Sequence, residues 1–114
     1  MALIEGKHTA EFLLSEGNGS ISREQVTIAA SAGAMVPGRV VGKITASGKY
    51  AEYNNAASDG TEVAAGVLYA TVKDSTADQK AVIIARQAEV IESELTGLDA
   101  NGKADLLALG IICR

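Results

Sequence analysis

The chain has 114 residues and a mass of 11.7 kDa, which is the size of a single domain. Its aromatic residues are one Phe and three Tyr, with no Trp, so Ala, Val, Ile and Leu must form most of the core, and a partner is expected to supply some stabilisation. The formal charge of −4 comes from 14 acidic and 10 basic residues without a basic block, which argues against nucleic-acid binding.

Residues 1–20 differ in composition from the rest of the chain. They hold one apolar cluster, Phe12-Leu13-Leu14, followed by a polar stretch that ends in Asn18-Gly19-Ser20. A solvated tail gains nothing from three consecutive large apolar residues, so we expect this cluster to dock on a surface. The sequence therefore predicts an N-terminal arm over residues 1–20 and a single domain over residues 21–114.

The pattern becomes β-like after the arm. Residues 25–28 alternate polar and apolar side chains, which predicts a strand with one buried face. Residues 39–45 place Val40 and Ile44 on one face, with Val41 as an exception, and residues 49–53 predict a short strand. Turn signals separate these segments: Gly33, Pro37-Gly38, Ser47-Gly48 and, in the following polar loop, Asp59-Gly60.

Two longer apolar runs follow, over residues 65–72 and 81–86, with a polar connector between them. Both runs are apolar on both faces, which is typical of strands that are covered on two sides. Residues 88–92 extend or follow the second run. This part of the chain is expected to provide the central strands of the domain.

The C-terminal region predicts one helix. Ala104, Leu107, Ala108 and Ile111 recur at helical spacing and form the stripe of an amphipathic helix. Asp99 is a candidate N-cap and Gly110 a candidate C-cap, and residues 111–114 are expected to close the sheet or the core. The predicted fold class is therefore α+β and mostly β: a small compact β domain with a flexible N-terminal arm and one C-terminal helix.

The residues that could perform catalysis are few. A nucleophilic Cys113 would need His8 beside it, and a Cys in the run Ile111-Ile112-Cys113 is more often a small buried hydrophobe. The acidic side chains lack the His, Cys or calcium-loop spacing of a metal site, and no Gly-rich phosphate loop follows a strand. We expect no enzyme activity, no cofactor and no metal.

A different class of function, a barrel-sandwich ligand or carrier module, stays open at this point. The turn around Met35, Val36, Pro37 and Gly38 is similar to the turn on which carrier domains present a modified Lys beside Met. No Lys flanks Met35, which argues strongly against a biotinyl or lipoyl carrier, and a hydrophobic residue before a Pro-Gly turn explains the segment equally well.

Localisation signals are also lacking in the sequence. The longest apolar stretch, residues 63–70, is far shorter than the roughly 20 residues that span a bilayer. The first residues have no basic segment followed by an apolar run, and one Cys cannot form an internal disulfide. These features favour synthesis in the cytoplasm and no contact with a membrane.

Several segments together resemble a known family. They are residues 11–16 leading into 22–27, residues 42–50, residues 57–69, residues 81–90 and the terminal Leu109-Gly110-Ile111-Ile112. In order and extent they resemble the head decoration proteins of tailed bacteriophages, the lambda-type capsid-cementing family. The resemblance covers nearly the whole chain, and its motifs are structural rather than catalytic.

The resemblance implies a β-tadpole-like domain that is made in the bacterial host cytoplasm and assembles as a homotrimer. Such trimers bind the major capsid protein on the outer surface of the expanded head, at three-fold and quasi-three-fold sites, and stabilise the virion against packaged DNA. The arm is expected to be flexible in solution and to add a strand to the capsid protein. The candidate capsid-binding residues are Glu11, Phe12, Leu13, Leu14, Ser15, Ser22, Arg23, Gln25, Val26 and Ile28.

Overall fold

The computed structural model describes residues 9–17, 21–30 and 32–114. These residues are mostly β, as the sequence predicts, and form eight strands, one α-helix and a short 3-10 helix over Glu92–Glu94. The strands are β1 (Leu13–Glu16), β2 (Arg23–Ile28), β3 (Val40–Lys43), β4 (Tyr50–Glu52), β5 (Ala64–Leu68), β6 (Gln79–Ile84), β7 (Ala88–Val90) and β8 (Ile111–Cys113). The helix α1 spans Ala100–Ala108.

Five strands form a closed barrel in the order β2-β4-β3-β5-β6. All neighbours are antiparallel except β2 and β4, which make one parallel pair between Ile28 and Tyr50. The long antiparallel pairing of β2 with β6 closes the barrel, and closure leaves these strands without free edges. The predicted strands over residues 25–28, 39–45, 49–53, 65–72 and 81–86 are confirmed as β2 to β6, most of them shorter than the sequence pattern suggested.

The strands β3, β5 and β6 are apolar on both faces because each lies between two cores. One core holds Val41, Leu68 and Ile83 together with apolar side chains of β2 and β4, and so fills the barrel. The other core lies between the barrel wall, α1 and the second sheet, and its members are Phe12, Val40, Tyr53, Ala64, Val67, Ile84, Ala88, Val90, Leu106 and Ile111. The exceptional position of Val41 in the sequence pattern has the same cause, because Val40 and Val41 enter different cores.

A second sheet of three strands, in the order β1-β7-β8, packs against the barrel. Strand β1 runs antiparallel to β7, and β8 runs parallel to β7 on the other side. The prediction that residues 111–114 close the sheet is confirmed, because Ile111–Cys113 is β8 and Ile111 is fully buried. Residues 13–16, which the sequence assigns to an arm, lie in this sheet.

The helix begins as predicted but buries a different face. Asp99 is the N-cap and its carboxylate accepts a hydrogen bond from the backbone N–H of Gly102 at 2.7 Å. The buried residues are Gly102 and Leu106, whereas Ala104, Leu107 and Ala108 of the predicted stripe are exposed. The predicted stripe is therefore wrong as a core face. It also does not continue to Ile111, because Gly110 (φ 83°), just beyond the C-cap residue Leu109, ends the helix before that residue.

Gly102 sets which helix face turns inward. A Cβ at Gly102 would lie 3.0 Å from Cε2 of Tyr53, so the glycine allows the helix to approach that buried ring. Leu106, one turn later, therefore enters the core. A hydrophobic pattern cannot reveal this, because the residue that makes the closest contact has no side chain.

Candidate functional site

Strand β1 forms one edge of the second sheet. It pairs with β7 through Leu13 opposite Val90, Ser15 opposite Glu89 and Glu16 opposite Ala88. In the part of the chain that the structure describes, no strand pairs with its other side. An unpaired strand edge offers backbone N–H and C=O groups to a partner strand, so β1 is a candidate docking element.

The side chains of the Phe12-Leu13-Leu14 cluster point in different directions. Phe12 is 1% exposed and lies in the core beside α1, and Leu13 packs partly against the same core. Leu14 is 51% exposed because the register shifts between Leu13 and Ser15, which breaks the alternation along the strand. Ser15 is also exposed, and so is Glu11, which precedes the strand. The cluster thus anchors β1 with one residue and presents another to solvent.

A bidentate ion pair between Arg23 and Glu16, here called the fork, connects β1 to the barrel. The Arg23 guanidinium on β2 donates two hydrogen bonds to the Glu16 carboxylate on β1, from Nη2 at 2.6 Å and from Nε at 3.0 Å. The guanidinium carbon also lies 4.4 Å from the centre of the Tyr69 ring. The hydrogen bonds to Glu16 raise the pKa of Arg23 above its ordinary value. This bidentate arrangement fixes the end of β1 in both distance and orientation.

Ser22 makes a second link at the same end of the strand. Its hydroxyl is fully buried, accepts a hydrogen bond from the Gly17 backbone N–H at 2.7 Å and donates one to the Gln87 carbonyl at 2.7 Å. The Gly17 N–H also reaches the same carbonyl at 3.1 Å. At the other end of the segment, the Ala10 N–H donates to the Tyr69 carbonyl at 2.9 Å. Residues 10–17 are therefore attached to the domain at both ends.

The remaining candidate residues on β2 divide between surface and interior. Gln25 is exposed, whereas Val26 and Ile28 are 8% and 1% exposed and fill the barrel. Because these two side chains fill the interior of the barrel, a partner on the surface could not contact them directly. The sequence prediction grouped ten residues, and the structure brings seven of them, 11–15 with 22 and 23, to one side of the domain around β1.

The outer face of the three-stranded sheet extends this surface. Ile112 on β8 is 40% exposed and lies in register with Glu89 on β7, which is in turn opposite Ser15 on β1. Arg114 forms an ion pair with Glu89 at 3.2 Å. Residue positions that are opposite in register share a face, so exposed apolar and charged groups follow one another across the sheet from β1 to β8.

A polar groove of about 660 Å³ lies elsewhere, beside β4 and the N-terminus of α1. Its charged groups already have partners within the domain: Arg39 pairs with Glu52 at 3.1 Å, and Asp59 accepts hydrogen bonds from Thr61. The hydrogen bonds from Thr61 lower the pKa of Asp59, so this carboxylate stays charged. The groove therefore presents few uncommitted groups to a ligand.

Tyr53 and Asp99 form a structural pair at the edge of that groove. The Tyr53 hydroxyl donates to the Asp99 carboxylate at 2.7 Å. Burial, followed by the hydrogen bond and charge of Asp99, raises the pKa of Tyr53 to about 12. The hydrogen bonds from the Gly102 N–H and from Tyr53 lower the pKa of Asp99. Tyr53 therefore stays protonated and Asp99 stays ionised near neutral pH, and these are the states in which Asp99 caps the helix and accepts the hydrogen bond from Tyr53. Neither group is suited to exchange a proton in that pH range.

The positions of Met35 and Cys113 bear on the alternative functions. Met35 is 3% exposed and forms an isolated bridge with Val72, so it is not presented on a surface turn as a carrier motif requires. Burial raises the pKa of the Cys113 thiol, which disfavours the nucleophilic thiolate. His8, its proposed partner, lies outside the described residues. In residues 9–17, 21–30 and 32–114, no group of three or more His, Cys, Asp or Glu side chains could hold a metal ion.

Comparison with known families identifies the class of protein. The family model for bacteriophage lambda head decoration protein D matches residues 2–111, almost the whole chain. This chain belongs to the lambda head decoration protein D family. No curated protein is matched by this chain. The decoration protein family is structural rather than enzymatic, and none of the helices in the described residues is long and apolar enough to cross a membrane.

Three residues that hold the candidate docking strand β1 were not among those predicted from the sequence. The Glu16 carboxylate accepts hydrogen bonds from Arg23, the Tyr69 ring packs against the Arg23 guanidinium, and the Gln87 carbonyl accepts a hydrogen bond from the Ser22 hydroxyl. Their contacts join segments far apart in the chain, so no local spacing signals them. Gln87 also has a positive φ (48°), and a sequence pattern does not signal a non-glycine residue in that region.

Proposed function

We propose that this protein decorates the outside of an expanded phage head as a homotrimer and stabilises the shell against packaged DNA. The observation that carries the proposal is the edge of β1 with which no strand of residues 9–17, 21–30 and 32–114 pairs, on a chain that belongs to a head decoration family. A strand of the major capsid protein would add to that edge, with its backbone supplying affinity and its side chains supplying register. Exposed Glu11, Leu14 and Ser15 would contact the partner directly.

The buried members of the candidate set have a different role in this proposal. Phe12 holds β1 on the core, and Ser22 and Arg23 hold its C-terminal end, so they present the edge without being part of it. Gln25, which is exposed on β2, would border the docked strand. The capsid therefore meets a strand that is already part of a sheet.

Trimerisation is the second half of the proposal. Small apolar side chains bury little area each, so a core poor in aromatic residues gains from additional surface covered by neighbouring copies. Three docking strands on one trimer also bind together, and such multivalency can raise affinity by about 10²–10⁴ over a single strand. Attachment at a three-fold site would allow all three β1 strands of a trimer to bind the capsid at the same time.

The test uses empty expanded heads prepared from a phage whose gene for this chain is deleted. Heads are mixed with purified protein, and bound protein is measured after sedimentation, while light scattering gives the oligomeric state of the free protein. Leu14→Asp places a charge on the exposed side of β1 and should weaken binding at least about tenfold without changing thermal stability.

Val63→Asp is the matched control, because Val63 is 53% exposed and directly precedes β5, a barrel strand that does not pair with β1. It should leave head binding unchanged. Equal loss of binding in both variants would contradict β1 as the docking element. A protein that is monomeric at micromolar concentration and does not sediment with expanded heads would overturn the proposed function as a whole.

A further inference from the structure

The pair formed by Arg23 and Glu16 has a geometry that an incidental surface ion pair lacks. Both hydrogen bonds come from one guanidinium edge to one carboxylate, at 2.6 and 3.0 Å. The two side chains are 38% and 20% exposed, less than most ion pairs of the domain, such as Lys103 with Glu92 at 50% and 44%. The Tyr69 ring, 4.4 Å from the guanidinium, further restricts its position.

The place of this pair in the fold is equally specific. Strand β1 has four residues and one irregular register step, and among the described residues its one neighbouring strand is β7. A short edge strand with a bulge makes few backbone hydrogen bonds, so side chains must add to its retention. Arg23 is the side chain of the barrel that reaches the β1 carboxylate, and it does so at the end opposite to Phe12.

We propose that Arg23 is a positioning residue for docking: with Glu16 and Tyr69 it clasps β1 onto the sheet, so that the edge is formed before the capsid arrives. This inference rests on the proposed function of β1. A strand that is ordered in advance does not lose conformational freedom on binding, so the clasp increases affinity without itself touching the partner. The raised pKa of Arg23 is consistent with a guanidinium held by a carboxylate.

Four variants test the clasp. Glu16→Gln and Arg23→Gln remove one charge each, and the double variant Glu16→Arg with Arg23→Glu reverses the pair. Glu24→Gln is the control, because it makes the same chemical change on β2 but affects only the exposed pair of Glu24 with Arg86 at 3.5 Å.

Amide hydrogen exchange of residues 13–16 in the free trimer and sedimentation with expanded heads are measured for each variant. The two single variants should accelerate exchange in β1 and weaken head binding, each about fivefold, with exchange in β3 and β5 unchanged. The reversed pair should recover most of both effects, and Glu24→Gln should alter neither.

Two results would overturn the clasp. One is unchanged exchange of β1 in both single variants, and the other is faster exchange with undiminished head binding. Recovery by the reversed pair separates a positioning role from general destabilisation, because lost stability elsewhere would not return with the charges. If the wild-type protein itself fails to bind heads, the proposed function is refuted, and with it the contribution of Arg23 to docking. The exchange data would still show whether Arg23 holds β1 on the sheet.

Discussion

Phe12 provides the sharpest test of how β1 is attached to the domain. It is the only Phe in the chain, it is 1% exposed, and it lies in the core between the barrel wall, the second sheet and α1. Replacing it with Ala removes a whole ring from that core. The neighbours Val40 and Val67 belong to the closed barrel and cannot move inward to fill the space, so a cavity should remain.

A buried Phe→Ala change of this kind costs about 3–5 kcal/mol in the free energy of unfolding. With a urea m-value of about 1.5–2 kcal/mol/M for a domain of this size, the unfolding midpoint should fall by roughly 2 M. Leu14→Ala is the matched control on the same strand, because Leu14 is 51% exposed, and its effect should stay within about 0.5 kcal/mol. Urea denaturation followed by circular dichroism measures both.

The comparison separates two views of residues 9–17. If Phe12 is part of the core in solution, the two substitutions differ by several kcal/mol. If Phe12→Ala costs less than about 1 kcal/mol, the segment is a loosely held arm, and our account of β1 as a pre-formed edge is refuted. Hydrogen exchange of residues 13–16 in the Phe12→Ala protein would show in addition whether the strand leaves the sheet before the barrel unfolds.

Two further predictions concern the barrel and the helix cap. Gly42→Ala should lower stability by about 1–3 kcal/mol, since an added Cβ would lie 2.7 Å from the Cα of Thr61, and an unchanged urea midpoint would contradict this packing. Tyr53 has a pKa of about 12 in the folded protein against about 10 unfolded, so its contribution to stability is complete below pH 10 and is lost as pH rises from 10 to 12. Urea midpoints measured across that range should fall less steeply for Tyr53→Phe; identical slopes would argue against the raised pKa, and so against the burial of the Tyr53 hydroxyl together with its hydrogen bond to Asp99.

The features that the sequence predicts correctly are those determined within a few residues. The Asp99 cap depends on its own carboxylate and the Gly102 N–H, and the turn at Asp59-Gly60 on the carboxylate of Asp59 and the positive φ of Gly60 (111°). The apolar runs that became β5 and β6 are also recognisable, because burial on two sides removes polar residues from both faces.

The features that the sequence does not reveal depend on partners from distant segments. The pairing of β1 with β7 joins the two ends of the domain, and only that pairing explains why Phe12 is buried while Leu14 is exposed. The exposed side of α1 is a second example, since the Tyr53 ring against Gly102 decides which face turns inward. The candidate residues cluster around β1 in the structure, but the division of these residues between the core and the surface could not be predicted without the fold.

The separation of buried anchor residues from exposed residues on β1 also affects how a decoration protein would withstand a mechanical force from the capsid. If the capsid pulls on β1, the force reaches the barrel through Phe12 in the core and through the fork between Glu16 and Arg23. Substitutions at these anchors should therefore reduce stability or strand order together with head binding, whereas Leu14→Asp should reduce binding alone. The single Phe of the chain lies next to the strand that is proposed to carry the load, so under this proposal the stability of the domain and its attachment to the shell would depend on the same side chain.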